Sequence, residues 1–209
     1  QFFPSSDRPE LLVDMTLRQN ASIAASQAVA ERVEVLLKGD PDVDHFSTYV
    51  GRGAIRFYLP LAVHLANPFV SQIVVIAKDI EARDRLQAKF EKIMAQDFPE
   101  VTARLSPLEM GPPVGWPLQY RVVGPDKDEL RRISEKVAQL MAADTRVRNV
   151  NYDWMEPARQ LRVHIDQDEA RRLGVSTASI AAVLQASVTG TTITQVRDDI
   201  YLVNVVARA

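Results

Sequence analysis

The chain contains no cysteine, and with that absence disulfides, thiolate nucleophiles and cysteine-ligated zinc or iron–sulfur centres are excluded together. An excess of charge of one sign is missing too. Lys and Arg number 25 against 27 Asp and Glu, a net charge of -2, and no Lys/Arg-rich block supplies the basic patch that phosphate neutralisation requires. A nucleic-acid partner is therefore not expected. Nor is there a long hydrophobic run: the most apolar stretch, 57–77, is broken by Pro60, His64, Asn67, Pro68, Ser71 and Gln72, too often for the roughly 20 apolar residues of a membrane span. No initiator Met, charged leader or cleavage site stands at Gln1, so the expectation is a soluble segment taken from inside a longer chain.

What is present fits globular structure. Hydrophobic residues make up 46% and charged residues 25% of 209 residues, enough apolar surface for real cores and, at about 150 residues per domain, for more than one compact unit. Leu11, Val13, Met15 and Leu17 alternate with Asp14 and Thr16 as in a half-buried strand. Ser22 then caps a predicted helix whose face is Ile23, Ala30, Val33 and Leu37, stopped by Gly39 and Pro41. Val43 to Val50 and Ala54 to Leu59 read as strands joined at Gly51-Arg52-Gly53, and Ile73 to Ala77 as a buried strand. A second helix face, Leu86, Phe90, Ile93 and Met94, and a strand over Val101 to Leu105 follow, and the unit is read as a βαββαβ run, one strand fewer than the segments named.

Pro107, Gly111, Pro112, Pro113, Gly115 and Pro117 mark a boundary. Beyond it the pattern restarts: a short strand at Tyr120 and Val122, a helix capped by Asp126 and Glu129 with Leu130, Ile133, Val137 and Leu140 on one face, and a strand near Val147 to Tyr152. A βαβ unit of this size is too small to bury both faces of its sheet, so its remaining strands are expected from elsewhere in a longer chain. A third unit opens at Leu161, Val163 and Ile165. It continues with short helices capped by Asp166 and by Ser176 or Thr177, and ends in a hairpin of Thr191 to Val196 and Tyr201 to Val206. The fold class is α+β.

Residue patterns that carry chemistry are few. His45, His64 and His164 lie far apart without ligand spacing and read as solvated. Asp40, Asp42 and Asp44 imitate the start of a calcium loop, but its sixth position is His45 and its twelfth is Gly51, where Gly and Glu are needed. No dinucleotide fingerprint, Walker motif or nucleophile elbow occurs, so no catalytic residue, metal or cofactor is assigned. Two features stand out. The connection 60–70 carries Leu61, Ala62, Val63, Leu65, Ala66 and Phe69, too apolar for a solvated loop, and is expected either to pack under a neighbour or to line a cleft for amphipathic ligands. Aromatics gather at the boundaries: Phe46, Tyr49, Phe57 and Tyr58, then Trp116, then Tyr152 and Trp154.

Three strings carry a resemblance across nearly the whole chain: Phe2-Phe3-Pro4-Ser5-Ser6-Asp7-Arg8-Pro9-Glu10, Gly51-Arg52-Gly53, and His164-Ile165-Asp166-Gln167-Asp168-Glu169-Ala170 through Leu173-Gly174-Val175-Ser176. Together they resemble the second large periplasmic loop of a resistance-nodulation-division (RND) efflux transporter of the acriflavine-resistance type. The resemblance implies a first C-half porter subdomain with a ferredoxin-like βαββαβ fold at 1–112, the first βαβ half of a second at 113–156, and part of a docking domain at 157–209. It further implies a proton-driven homotrimeric antiporter of the bacterial inner membrane. Such a pump passes amphipathic small molecules through a periplasmic adaptor protein to an outer-membrane channel, with no enzyme activity in this segment. On this likeness Gly51, Arg52 and Gly53, preceded by Phe46 and Tyr49, are similar to a switch loop between two substrate pockets. Glu109 lies where a cleft entrance begins, Asn151 stands where a cationic entrance residue is common, and Phe57, Tyr58, Trp116 and Trp154 are candidates for the cleft wall. The residues alone also fit a free-standing ferredoxin-like regulatory module binding a small effector, or a structural assembly role.

Overall fold

Alternation along the first strand, β1 (Glu10–Thr16), turns Leu11, Val13 and Met15 to one side, where they are buried among the helices, and Leu12 and Asp14 to the other. The computed structural model describes residues 4–112, 114–154 and 156–208; Phe2, Phe3 and Pro113 of the strings above lie outside them. Two compact units are resolved, 1–159 and 160–209.

In the first unit β1 is followed by α1 (Ile23–Leu37), β2 (Val43–Val50), β3 (Val70–Ala77), α2 (Ile80–Asp97) and β4 (Thr102–Pro107), the predicted βαββαβ order. The strands form one antiparallel sheet in the order β2-β3-β1-β4. Both helices start where a side chain can replace a missing backbone acceptor: Ser22 Oγ accepts from the Ala25 amide at 3.2 Å and Asp79 Oδ1 from the Ala82 amide at 2.7 Å. Val29, Ala30, Val33 and Leu37 of α1 and Leu86, Phe90 and Met94 of α2 close over Leu11, Val13, Met15, Ile73, Val75 and Leu105. Gly39, at φ +84°, holds the left-handed position that ends α1.

Four segments with the alternation of strands form none, for one reason. Ala54 to Leu59 is not a strand; β2 turns at Gly51 and pairs with β3, and the connection between them lies across the sheet face away from the helices. Segments 120–122 and 147–152 flank α3 (Lys127–Ala142) without forming strands, and 161–165 forms none either. A strand exists only where a neighbour accepts its ladder of hydrogen bonds, and among the described residues these segments have no such neighbour. Asp126 caps α3 through the Glu129 amide at 2.8 Å, as read, yet α3 has no buried residue.

The second unit holds α4 (Gln167–Arg172), α5 (Thr177–Val188) and a hairpin of β5 (Thr191–Asp198) and β6 (Tyr201–Ala207). Asp166 caps α4 and Ser176 caps α5, as predicted. Of its described residues only Ala170 is buried.

Candidate functional site

The open face of the sheet in the first unit carries a polar row across all four strands. Tyr49 of β2 is in register with Gln72 of β3, Gln72 with Asp14 of β1, and Asp14 with Arg104 of β4. A neighbouring apolar stripe comprises Val74, Leu12 and, beyond β4, Leu108. The 51–69 connection folds onto both. Ala54 and Leu61 bury themselves against Leu12, Val74 and Leu108, with Tyr49 and Tyr58 at the margin, so the apolar connection packs on its own sheet.

Hydrogen bonds fasten the connection from base to middle. Gly51 donates to the Val70 carbonyl at 2.8 Å, and the Asn67 amide donates to the Gly51 carbonyl at 2.8 Å. Gln72, nearly fully buried, accepts from the Ala54 amide at 2.8 Å through Oε1 and donates to Asp14 Oδ1 at 2.6 Å through Nε2. His64 Nε2 stands 3.2 Å from the same Asp14 oxygen. Arg104 approaches Asp14 Oδ2 at 4.0 Å with one nitrogen and Glu109 Oε1 at 3.1 Å with another. The Tyr58 hydroxyl donates to the Glu109 carbonyl, and the Arg8 guanidinium lies 5.9 Å from the centre of the Tyr58 ring. The hydrogen bond to Asp14 raises the pKa of His64 above 6.5; burial opposes this, the charge of Asp14 adds to it, and Arg104 works against it.

The two glycines of the turn serve different needs. Gly51 adopts φ +75°, and a Cβ there would meet Ile23 Cδ1 at 2.8 Å. A Cβ on Gly53 would stand 3.0 Å from His64 Cβ and 3.2 Å from Gln72 Oε1, so this glycine lets two limbs of the connection close on each other. Arg52 between them is exposed.

The predicted site residues are only partly brought together. Tyr49, Gly53, Tyr58 and Glu109 belong to the cluster on the open face. Phe46 packs on the opposite, helix-covered face, because three residues along a strand reverse the side. It borders a cavity of about 500 Å³ beside the end of α1, with Lys38, Asp40, His45 and Lys78. Phe57 is exposed at the surface of the connection. Trp116 is half-buried, its carbonyl accepting from Gln119 Nε2 at 2.9 Å. Asn151 donates to the Asn149 carbonyl at 2.6 Å, and Trp154, more than half exposed, is covered on one ring face by Arg131 at 5.1 Å. A second cavity, about 290 Å³, runs between α2 and β4 past Met94, Phe98, Val101 and Leu105 to Asn149.

Asp14, Gln72, His64 and Arg104 are not among the predicted site residues, and His64 is not the solvated histidine expected but a partner of Asp14. A signal was available: Asp14 and Gln72 are polar residues inside strands flanked by runs of apolar residues, where burial demands partners. Spacing alone cannot name those partners, since they come from three other segments.

The profile of the AcrB/AcrD/AcrF family matches residues 1–209. The toluene efflux pump membrane transporter TtgE of Pseudomonas putida is 27% identical over 196 residues, which are 89% of this chain and 18% of that protein. Among solved structures, two crystal forms of a heavy metal efflux pump are similar with a TM-score of 0.68 at 20% identity, over 100% and 99% of this chain and 22% of the pump chain. At that identity the likeness shows the fold. The chain spans about a fifth of these relatives.

Proposed function

Because the chain belongs to the AcrB/AcrD/AcrF family of RND efflux transporters, we propose that it is the periplasmic porter and docking segment of a proton-driven pump that passes amphipathic compounds toward an outer-membrane channel. Its subdomains are then 1–112, the first C-half porter subdomain; 113–156, the first half of the second; and 157–209, part of the docking domain. The whole pump is a homotrimer of the bacterial inner membrane served by a periplasmic adaptor protein. Among the described residues no helix is long and apolar enough to cross a membrane, and the family is one of transporters rather than enzymes.

The observation that carries this reading is the two-sided 51–69 connection. Ala54 and Leu61 anchor it, while Ile55, Phe57, Leu59 and Leu65 face outward, the last two 84% and 85% exposed. Exposed leucines on an anchored loop offer apolar area to a ligand at about 25 cal/mol per Å² buried, without directional bonds. Broad selectivity for amphiphiles follows. Tyr49, Phe57, Tyr58, Trp116 and Trp154 would supply aromatic wall, Gly51, Arg52 and Gly53 the hinge of a switch loop, and Glu109 and Asn151 polar groups at the entrance, while Phe46, on the helix-covered face, stays outside this wall. In the intact pump, Phe57→Ala and Trp154→Ala should each weaken binding of a fluorescent amphipathic dye several-fold, the scale of a partly buried aromatic. Unchanged dye binding and efflux in both would remove these residues from the wall.

A further inference from the structure

We propose that His64 and Asp14 form a proton-operated latch that fixes the 51–69 connection to the open face of the sheet and loosens it when the imidazole loses its proton. The latch goes beyond the transport reading and needs no substrate, so either can fail while the other stands.

The groups fastening the middle of the connection differ in what a proton can do to them. The Ala54 amide to Gln72 and the Gly53 amide to the His64 carbonyl, at 2.8 and 3.4 Å, are neutral bonds indifferent to pH. Burial of Ala54 and Leu61 is equally indifferent. His64 is the member of the connection whose charge changes near neutrality. Its Nε2 faces a carboxylate that is largely buried, where a protonated imidazole makes a charge-assisted bond about twice as strong as a neutral one.

The charged surroundings of His64 are set by the sheet and the chain after it. Asp14 on β1 attracts the imidazolium, Arg104 on β4 repels it, and Glu109 beyond β4 holds Arg104 by an ion pair at 3.1 Å. Gln72 of β3, which is neutral, and Tyr49 of β2 stand in the same row as Asp14, Tyr58 of the connection packs at its margin, and Arg52 and Arg56 of the connection are exposed. Attraction by Asp14 prevails over Arg104, in keeping with the raised pKa of His64. The sign follows: docking has its full strength below pH 6.5 and weakens as pH rises through the elevated folded value. The contact is mechanically direct, because Gly53 brings its backbone against that of His64, with no Cβ between to absorb a shift.

The test is amide hydrogen exchange of the 209-residue chain from about pH 5.5 to about pH 8, corrected for intrinsic exchange, with His64 ring titration by NMR. Protection of the Gly53 and Ala54 amides should fall about tenfold over this range while β1 and β3 stay protected. In His64→Gln, which keeps a neutral donor, that fall should vanish. In Asp14→Asn the His64 midpoint should move down. A protection independent of pH in the native chain, or an equal fall in His64→Gln, would overturn the latch. Should Asp14→Asn fail to fold, His64→Gln alone decides, since it alters no buried carboxylate.

Discussion

Helices α2 and α3 follow the same sequence recipe and meet opposite fates. Each has an aspartate cap, an acidic first turn and a stripe of apolar residues on one face. Yet α2 buries Leu86, Phe90 and Met94 against a four-stranded sheet, whereas α3 leaves Ile133 and Leu140 exposed and buries nothing. The contrast extends to whole regions: 10–107 has cores on both faces of one sheet, while 160–208 buries only Ala170 and exposes Ile193, Val196, Leu202 and Val206 of its hairpin. Amphipathic pattern states which face wants cover; whether cover arrives depends on other chain. An isolated two-stranded hairpin is marginal in water, so 160–208 behaves as a part awaiting contacts, and 10–107 as a finished module.

The sharpest way to break this comparison is one aromatic deletion in each region. Phe90→Ala should cost about 3–5 kcal/mol by chemical denaturation, whereas Tyr201→Ala, on an exposed strand, should stay within about 0.5 kcal/mol. Equal losses would mean that the hairpin is as well packed as the module. Next in size is Arg83, buried on α2, whose Nη1 donates to the carbonyls of Ser6 at 2.7 Å and Arg8 at 2.8 Å. Replacing it with Met should cost about 2–3 kcal/mol and open the segment before β1 to protease; resistance equal to that of the native chain would show that the tether is dispensable. Gly53→Ala should cost about 1–2 kcal/mol and act locally, raising amide exchange at Ala54 ahead of β1 and β3. The smallest effect is expected from Asp166→Ala, which removes the acceptor for the Asp168 and Glu169 amides. About 1 kcal/mol of α4 helicity is lost, to be read by NMR chemical shifts, with the melting of the first unit unchanged.

Where the sequence pattern was local it was legible. The caps at Ser22, Asp126 and Asp166 stand as read, Ser176 is the one of the two candidates that caps α5, the hairpin read at 191–196 and 201–206 runs on to 198 and 207, and β1, α1, β2 and the face of α2 fall where periodicity put them. Pattern alone misplaced 54–59, since Ile55, Phe57 and Leu59 alternate like a strand, whereas burial of Ala54 and Leu61 against Leu12, Val74 and Leu108 lays the segment across the face of the sheet and not along its edge. Leu161 shows the same limit: the first of an alternating trio, it is 93% exposed. Of the cluster on the open face, the sequence marked Tyr49, Gly53, Tyr58 and Glu109 through resemblance, and left out the charged centre at Asp14, His64 and Arg104.

What the residues determined by themselves is therefore the helices with their caps, the βαββαβ order of the first unit, the absence of cysteine, and the family. Those follow from local propensity, period and motif, which need no distant partner. The tertiary structure alone decided that Asp14, Gln72 and Arg104 share one row and that His64 returns from a distant segment to meet it. The physical reason is register. A polar side chain buried in a sheet takes its partners from whichever strands lie opposite, and pairing between distant segments is set by the packing of the whole module rather than by any one of them.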